Sequence, residues 1–418
     1  MHRLGCQPVY GSEVDMHMQS FESRVAKAVE AELVRTEYPA DLPPLPPVPA
    51  GRYYDPEFYA LEMEHLFRKN WVHAGHVSEI VEIGSFKLFE QLGLSIIVCR
   101  TSDNEIRAFR NVCRHRGAAL VTQPSGKTKR FVCPYHAWGY DLSGDLRSVP
   151  EAQNFACLDK SKLSMMSVRC ETWRGFIFIN EDDEAQPLTD FMAPLDANVG
   201  PFPIDTMSVK VVIKMEIDCN WKSALDNFIE IYHVHTVHTR TIAPFIDPKS
   251  FSVFRLPNGH ARMNSKKRNA ATIFADGEQS GRLKVDPVFD SYTVAFPRFP
   301  NGFFSLDPAG CTWMNFWPIA PGKMMVEHYS IGPDMGSPTE DKAYWSAFEQ
   351  MNRKILAEDI ELFPGMRRAM ESGELTEILL GSQEQAIYWY NEEIDRRIGI
   401  DKIPEKFRIQ RVLGASAQ

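Results

Sequence analysis

The sequence predicts an α+β chain: a small all-β domain followed by a larger domain of strands and helices. Three observations predict it. The 418 residues suffice for two substantial cores. From 72 to about 180 the chain reads as short β-rich runs broken by Gly, Asn, Asp and Ser. After PLTDFMAPLDANVGPFP, longer strand patterns alternate with helical ones.

Residues 1–50 form a helix and a linker. SFESRVAKAVEAELVRTE (20–37) reads as an amphipathic helix, and PADLPPLPPVPA (39–50), with six Pro in twelve residues, as a stiff extended linker. The β domain is expected over 51–185, entered by a helix at about 55–70. There Asp55 is the N-cap and Pro56 the first helical residue, and Phe58, Leu61, Met63, Leu66 and Phe67 roughly follow helical spacing. GSFKLFEQLG, LSIIVCR, IRAFRNVC, KRFVCPYH, WGYDLSGDL and WRGFIFIN supply its strands. In the remaining domain, 186–418, VKVVIKMEIDCNW reads as a strand and SALDNFIEIYHVHTVH as a helix. Strands recur over 285–332, and helices at roughly 338–357 and 382–398 close the chain.

Composition narrows the function. A net charge of −9 argues against nucleic-acid binding. No apolar run approaches the ~20 residues of a membrane helix, and the first residues lack a signal-peptide core. Eight scattered Cys (6, 99, 113, 133, 157, 170, 219, 311) form no disulfide framework, so a reducing cytoplasm is expected.

Residues 113–136 hold C-x-H, a gap of seventeen residues, then C-x-x-H. Thiolate and imidazole at this spacing suit zinc or an iron–sulfur cluster. One Cys and one His in each half, in hairpin loops rather than on a finger helix, favours the cluster, with two Cys on one iron and two His on the other. Three His follow within six residues, at 233, 235 and 238. Positions 233 and 238 meet only at a helix irregularity or a helix end.

C-R-H-R-G followed by C-P-Y-H-A-W resembles the Rieske motif of the non-haem iron aromatic-ring-hydroxylating oxygenases, alpha subunit. N-W-K, then Asp226-Asn227, Glu230, Tyr232-His233 and His238 resembles that family's mononuclear iron motif, and LAEDIELF with the later L-G-x-x-E its closing segment. The resemblance covers about residues 50–400. It implies a Rieske [2Fe–2S] cluster held by Cys113, His115, Cys133 and His136, and a mononuclear Fe(II) held by His233, His238 and Asp359. Glu358 and Glu361 remain rivals for the carboxylate. It implies an antiparallel sheet flanked by helices (a helix-grip, START-like fold) for the second domain. It also implies that Glu230 links the two sites, hydrogen-bonding a ligand His and reaching a Rieske His, matching His136, of a neighbouring subunit. Most of the family has Asp there; Glu occurs in some branches, including ones that oxidise quaternary amines. Asn227 is the second candidate catalytic residue, at the iron or in support of the helix.

The activity implied is hydroxylation of an aromatic compound, by mono- or dioxygenation, with O2 as co-substrate. A separate reductase or ferredoxin delivers electrons, and NAD(P)H acts only through that reductase, since no dinucleotide fingerprint is present. The partners implied are a small organic substrate and a homotrimer, with a beta subunit possible. Oxidative N- or O-demethylation is the enzymatic alternative. A cluster-only electron carrier or redox sensor and a zinc-stabilised binding module are the rivals from other classes. For the substrate pocket the candidates are His235, Phe303, Phe304, Trp313, Asn315 and Trp317. The polar stretch 261–284, with Lys266, Lys267 and Arg268, is expected to be a lid or a surface loop.

Overall fold

The computed structural model describes residues 21–200, 202–268 and 283–414. Two seven-stranded antiparallel sheets dominate it. The first takes β2 (Val72–His76), β3 (Ser85–Phe89), β4 (Ile96–Arg100), β5 (Ile106–Arg110), β6 (Ser125–Lys127), β10 (Ser167–Trp173) and β11 (Phe176–Asn180), in the order β2-β11-β10-β5-β4-β3-β6. A three-stranded sheet, β7 (Phe131–Val132), β8 (Gly139–Tyr140) and β9 (Leu146–Ser148), is built on it. One Cys/His half-site follows β5 and the other joins β7 to β8.

The second sheet is β12 (Ser208–Ile217), β13 (Ser252–Arg255), β14 (Ala261–Lys266), β15 (Tyr292–Arg298), β16 (Gly302–Asp307), β17 (Gly310–Ala320) and β18 (Lys323–Gly332). It runs as a meander from β13 to β18, with β12 closing beside β18. Most of β17 and β18 is buried, because both faces of the sheet are covered. Phe304, Trp313 and Trp317 face the first sheet: Trp313 stacks on Phe176 at 3.7 Å and Trp317 meets Phe89 edge-on at 5.5 Å. The opposite face carries Phe303 and Phe316, both against Phe228.

Helices cover that second face. β1 (Val48–Pro49) pairs with β19 (Glu377–Ile378). The helices are α1 (Phe21–Val34), α2 (Pro56–Leu61), α3 (Leu188–Val199), α4 (Trp221–Phe228), α5 (Val234–Val237), α6 (Val288–Ser291), α7 (Pro338–Ile360), α8 (Phe363–Glu371) and α9 (Gln385–Ile398). α2 starts as its sequence predicts, with the Asp55 side chain accepting from the Glu57 amide at 2.9 Å and Pro56 at the first position. It then loosens into a π turn over Glu62–Leu66. α7 opens on a capping box, Ser337 with Glu340.

The Pro-rich segment, expected as a stiff extended linker, packs on the body of the protein: Leu42, Val48 and Ala50 are buried against Tyr388, Trp389 and Met370. The helix read over SALDNFIEIYHVHTVH ends at Phe228 and resumes at Val234, leaving Glu230–His233 in the break, the kind of irregularity that the His233–His238 spacing requires. Residues 261–266 are strand rather than loop, and 269–282 lie outside the described residues. No helix among the described residues is long and apolar enough to cross a membrane.

Candidate metal centres and substrate cavity

The two half-sites of the quartet are the same turn used twice. Gly117 donates to Cys113 O and Ala137 to Cys133 O, while the Cys113 and Cys133 amides donate to Ala118 O and Trp138 O. Both turns need a left-handed residue: Gly117 has φ 79° and Ala137 has φ 56°. Both Cys are buried. The rings of His115 and His136 lie 4.6 Å apart, and His115 stacks on Trp138 at 4.8 Å. Each His buries an Nδ1 that has no partner. An orphaned buried acceptor is costly, so two of them on adjacent rings fit a pair of metal-ligand nitrogens. The Tyr140 hydroxyl lies 3.5 Å from Cys113 Sγ and accepts from the Arg114 amide at 3.0 Å.

A single ion such as zinc draws its ligands to about 2.0–2.3 Å and hence to within about 4 Å of one another. Among the described residues, the group of three or more His, Cys, Asp or Glu whose donor atoms all lie within 4.8 Å is His233, His238 and Asp359. So tight a triad suits a single ion.

The break after α4 builds the triad. Asn220 caps α4, accepting from the Lys222 amide at 2.9 Å, and Trp221 and Lys222 both bond the buried Glu62 carboxylate, at 3.2 and 2.6 Å. Beyond the helix end, Glu230 folds back: its carboxylate contacts His233 Nδ1 and accepts from the Tyr232 amide. His233 and His238 bracket α5. Glu358 holds His238 Nδ1 at 2.7 Å and accepts from Thr241 at 2.5 Å. With both Nδ1 atoms held by carboxylates, both Nε2 atoms are free to face Asp359. Asp359 Oδ1 lies 2.9 Å from Nε2 of His238 and 3.8 Å from that of His233, aligned for a hydrogen bond with neither. Burial pulls the His238 pKa down, but Asp359 and Glu358 outweigh it and raise it.

This arrangement separates the three rival carboxylates. Asp359 is 2% exposed and faces both imidazoles; Glu358 grips the far nitrogen of one; Glu361 is exposed beyond the helix end. Acidic residues in the last turn of a helix oppose its dipole, and α7 has no basic residue there to compensate. A bound cation would supply that compensation.

A cavity of about 130 Å³ opens beside the triad, lined by Asn227, Phe228, Glu230, Ile231, Ile242, Ile246, Phe251, Met263, Ser265, Thr293, Ala295, Phe303 and Ile355 as well as the triad itself. Of the residues singled out in the sequence, Asn227, Glu230 and Phe303 line this cavity. The other pocket candidates do not. Phe304, Trp313, Asn315 and Trp317 lie on the opposite face of the sheet, because side chains alternate along β16 and β17. Asn315 bonds His73, and Trp317 donates to Glu327 at 3.0 Å. His235 is exposed beside Tyr232. Of the basic run, Lys267 is spent on Phe289 O and Asp307, and Arg268 on Ile246 O.

Two family models match the chain. Residues 204–400 match the family described as ring hydroxylating alpha subunit (catalytic domain), and residues 70–162 match the Rieske [2Fe-2S] domain. The chain is 36% identical over 190 residues to the alpha subunit of benzene 1,2-dioxygenase from Pseudomonas putida, covering 44% of this chain and 42% of that one. It is 35% identical over 194 residues to the carnitine monooxygenase oxygenase subunit of Escherichia coli K12, covering 46% and 52%. The chain thus spans about half the length of the curated relatives it matches. In fold it is similar to a quaternary ammonium Rieske monooxygenase, with a TM-score of 0.73 over 87% of this chain and 99% of that one at 21% identity.

Proposed function

We propose that this chain, whose residues 204–400 and 70–162 match the ring hydroxylating alpha subunit catalytic domain and the Rieske [2Fe-2S] domain, is the terminal oxygenase component of a multicomponent Rieske oxygenase system. It hydroxylates a small aromatic compound with O2 and electrons from a separate reductase or ferredoxin. The observation that carries this reading is the three-donor face of His233, His238 and Asp359 beside an apolar cavity. A 2-His-1-carboxylate set leaves iron positions open.

Cys113, Cys133, His115 and His136 would hold the [2Fe–2S] cluster, and His233, His238 and Asp359 the mononuclear iron. When bound, the cluster relays single electrons and the iron supplies reductive O2 chemistry. The chain's own residues do the rest. Glu230 and Glu358 hold the Nδ1 side of each ligand imidazole, which fixes tautomer and ring angle. Phe228, Ile242, Ile246, Phe251 and Phe303 keep the cavity dry and seat the ring. Asn227 faces the same cavity.

The electron route runs between copies in a homotrimer, where Glu230 faces the partner subunit's His136. In support, a groove of about 740 Å³, lined by Arg35, Tyr38, Tyr232, Lys249 and Glu384, opens beside Glu230. The compartment is a reducing cytoplasm, where the scattered Cys, two of them cluster ligands, need no disulfides.

Demethylation of a quaternary amine is the second reading, favoured by Glu rather than Asp at 230. The cavity speaks against it: among the described lining residues there is no Trp or Tyr to cage an ammonium group. The volume suits one ring, since an apolar cavity of ~150 Å³ accepts benzene.

The first test is iron, zinc and acid-labile sulfide per chain on protein purified without oxygen, then O2 uptake with single-ring aromatics and a reductase. About three irons and two sulfides per chain with ring hydroxylation are expected. Zinc without sulfide would overturn the reading. Formaldehyde release from a trimethylammonium compound would replace it with the second.

A further inference from the structure

We infer that the cavity selects a single aromatic ring carrying one neutral hydrogen-bonding substituent, and that the hydroxyls of Ser265 and Thr293 make that selection. The inference rests on the oxygenase reading above and names its substrate class. Ser265 on β14 and Thr293 on β15 are direct partners across the ladder, as are Met263 and Ala295. All four line the cavity. Opposed residues hold their Cβ atoms ~5 Å apart, so the two hydroxyls form one polar spot in an apolar wall.

That spot is chemically unspent. Neither hydroxyl hydrogen-bonds any described residue, although Ser265 is only 4% exposed. Nearby hydroxyls are engaged: Ser250 Oγ donates to Asp247 O and accepts from the Lys266 amide, and Ser252 Oγ accepts from Asn264. Neither oxygen is sealed off from the cavity, and Thr293 is only half-buried, so both hydroxyls are open to bond an entering group. A group entering the cavity is the partner left to these two.

Charge defines the group further. No Lys or Arg lines the cavity among the described residues. A ring carboxylate would shed its water with no cation to meet it. The lining acids, Asp359 and Glu230, belong to the triad and to His233. A phenolic hydroxyl, an aromatic amine or an aldehyde is matched, because a hydroxyl both donates and accepts. Thr293 and Ala295 lie on one face of β15 with Pro297, which is the ladder partner of Phe303. The polar spot and Phe303 therefore lie ~13 Å apart along the strand, so the substituent is held at one end of the cavity and the ring is oriented.

The test is anaerobic calorimetric titration of the iron-loaded protein with toluene, phenol, benzoate and phenyltrimethylammonium, followed by O2-dependent turnover of each. Phenol should bind tightest. Ser265→Ala and Thr293→Val should each lower the phenol preference, read as the ratio of toluene to phenol Kd, by about 3- to 10-fold. Thr293→Ser, which keeps the hydroxyl, should retain it. Variants that leave the ratio unchanged, or a wild type that prefers benzoate or the ammonium probe, would overturn the assignment. Failure of every probe to bind would do the same. The expected binding order without O2 consumption on any ring would sink the oxygenase reading instead, while the selectivity assignment stood.

Discussion

Replacing Lys222 by Met should destabilise the protein by about 3–5 kcal/mol, and adding Glu62→Gln should recover most of that loss. Lys222 and Glu62 are 1% and 0% exposed, and Nζ to Oε1 is 2.6 Å. At an effective dielectric of ~20 their attraction is on the order of 6 kcal/mol. Desolvation costs several kcal/mol per ion and consumes most of it. The titration directions agree: burial raises the Glu62 pKa and lowers that of Lys222, despite the partner's opposing pull on each. The pair thus contributes little net stability, but one charge left alone pays the whole desolvation cost. In the double variant the Gln side chain can still accept from Trp221, so it should lie within ~1 kcal/mol of wild type. For a cooperative unit of roughly 200 residues, ~2–4 °C per kcal/mol puts the single variant ~6–20 °C lower in Tm. Scanning calorimetry on the iron-loaded protein measures this. A single variant within 1 kcal/mol of wild type, or a double variant as unstable as the single, would refute the reasoning. Because α4 leads into Glu230 and His233, the single variant should also shed the mononuclear iron before the cluster.

Replacing His233, His238 or Asp359 by Ala should remove about one iron per chain and all turnover while the visible cluster spectrum stays; loss of that spectrum would refute the assignment. Glu358→Ala frees His238 Nδ1 and should weaken iron binding ~10–100-fold, measured by competition with a chelator, whereas Glu361→Ala should not. Tyr140→Phe removes a donor beside Cys113 Sγ; loss of ~1 kcal/mol favouring the reduced cluster should lower its potential by roughly 40 mV in a voltammetric titration. Burial, only partly offset by the Tyr53 hydrogen bond and Lys222, pushes the Asp226 carboxyl up to about 7. Its stability contribution is therefore fully present at low pH and is lost as pH rises through about 7, on the order of 4 kcal/mol in all. Asp226→Asn should remove that loss: the variant's gain over wild type should grow from pH 5 to 8, and a pH-independent difference would refute it.

What could be read in advance was chemistry held close in sequence. Each Cys/His half-site is a turn of five residues, so its spacing states its geometry. The i,i+5 interval between His233 and His238 announced a break in the helix, and the break is there, although its cause is distant. The Glu62 carboxylate that anchors Trp221 and Lys222 lies about 160 residues away. Glu358, which grips His238, lies 120 residues from it. No local pattern marks such partners. The aromatic rows of β16 and β17 failed for another reason. Alternation identifies the cavity face only when the other face meets water; β17 is buried on both faces, and in β16 the cavity side is the less buried one rather than the more buried. An Ile and Phe wall on one side and a Trp and Phe wall on the other read alike. The side that meets the first sheet took the larger aromatics, so the residues that looked most like a binding pocket are those that join the two sheets. The residues that shape the cavity are plainer: Ile242, Ile246, Met263, Ser265 and Thr293. The cavity is therefore shaped by side chains that no motif marks, and on the reading proposed above variants at Ser265 and Thr293 say more about substrate choice than variants at Trp313 or Trp317.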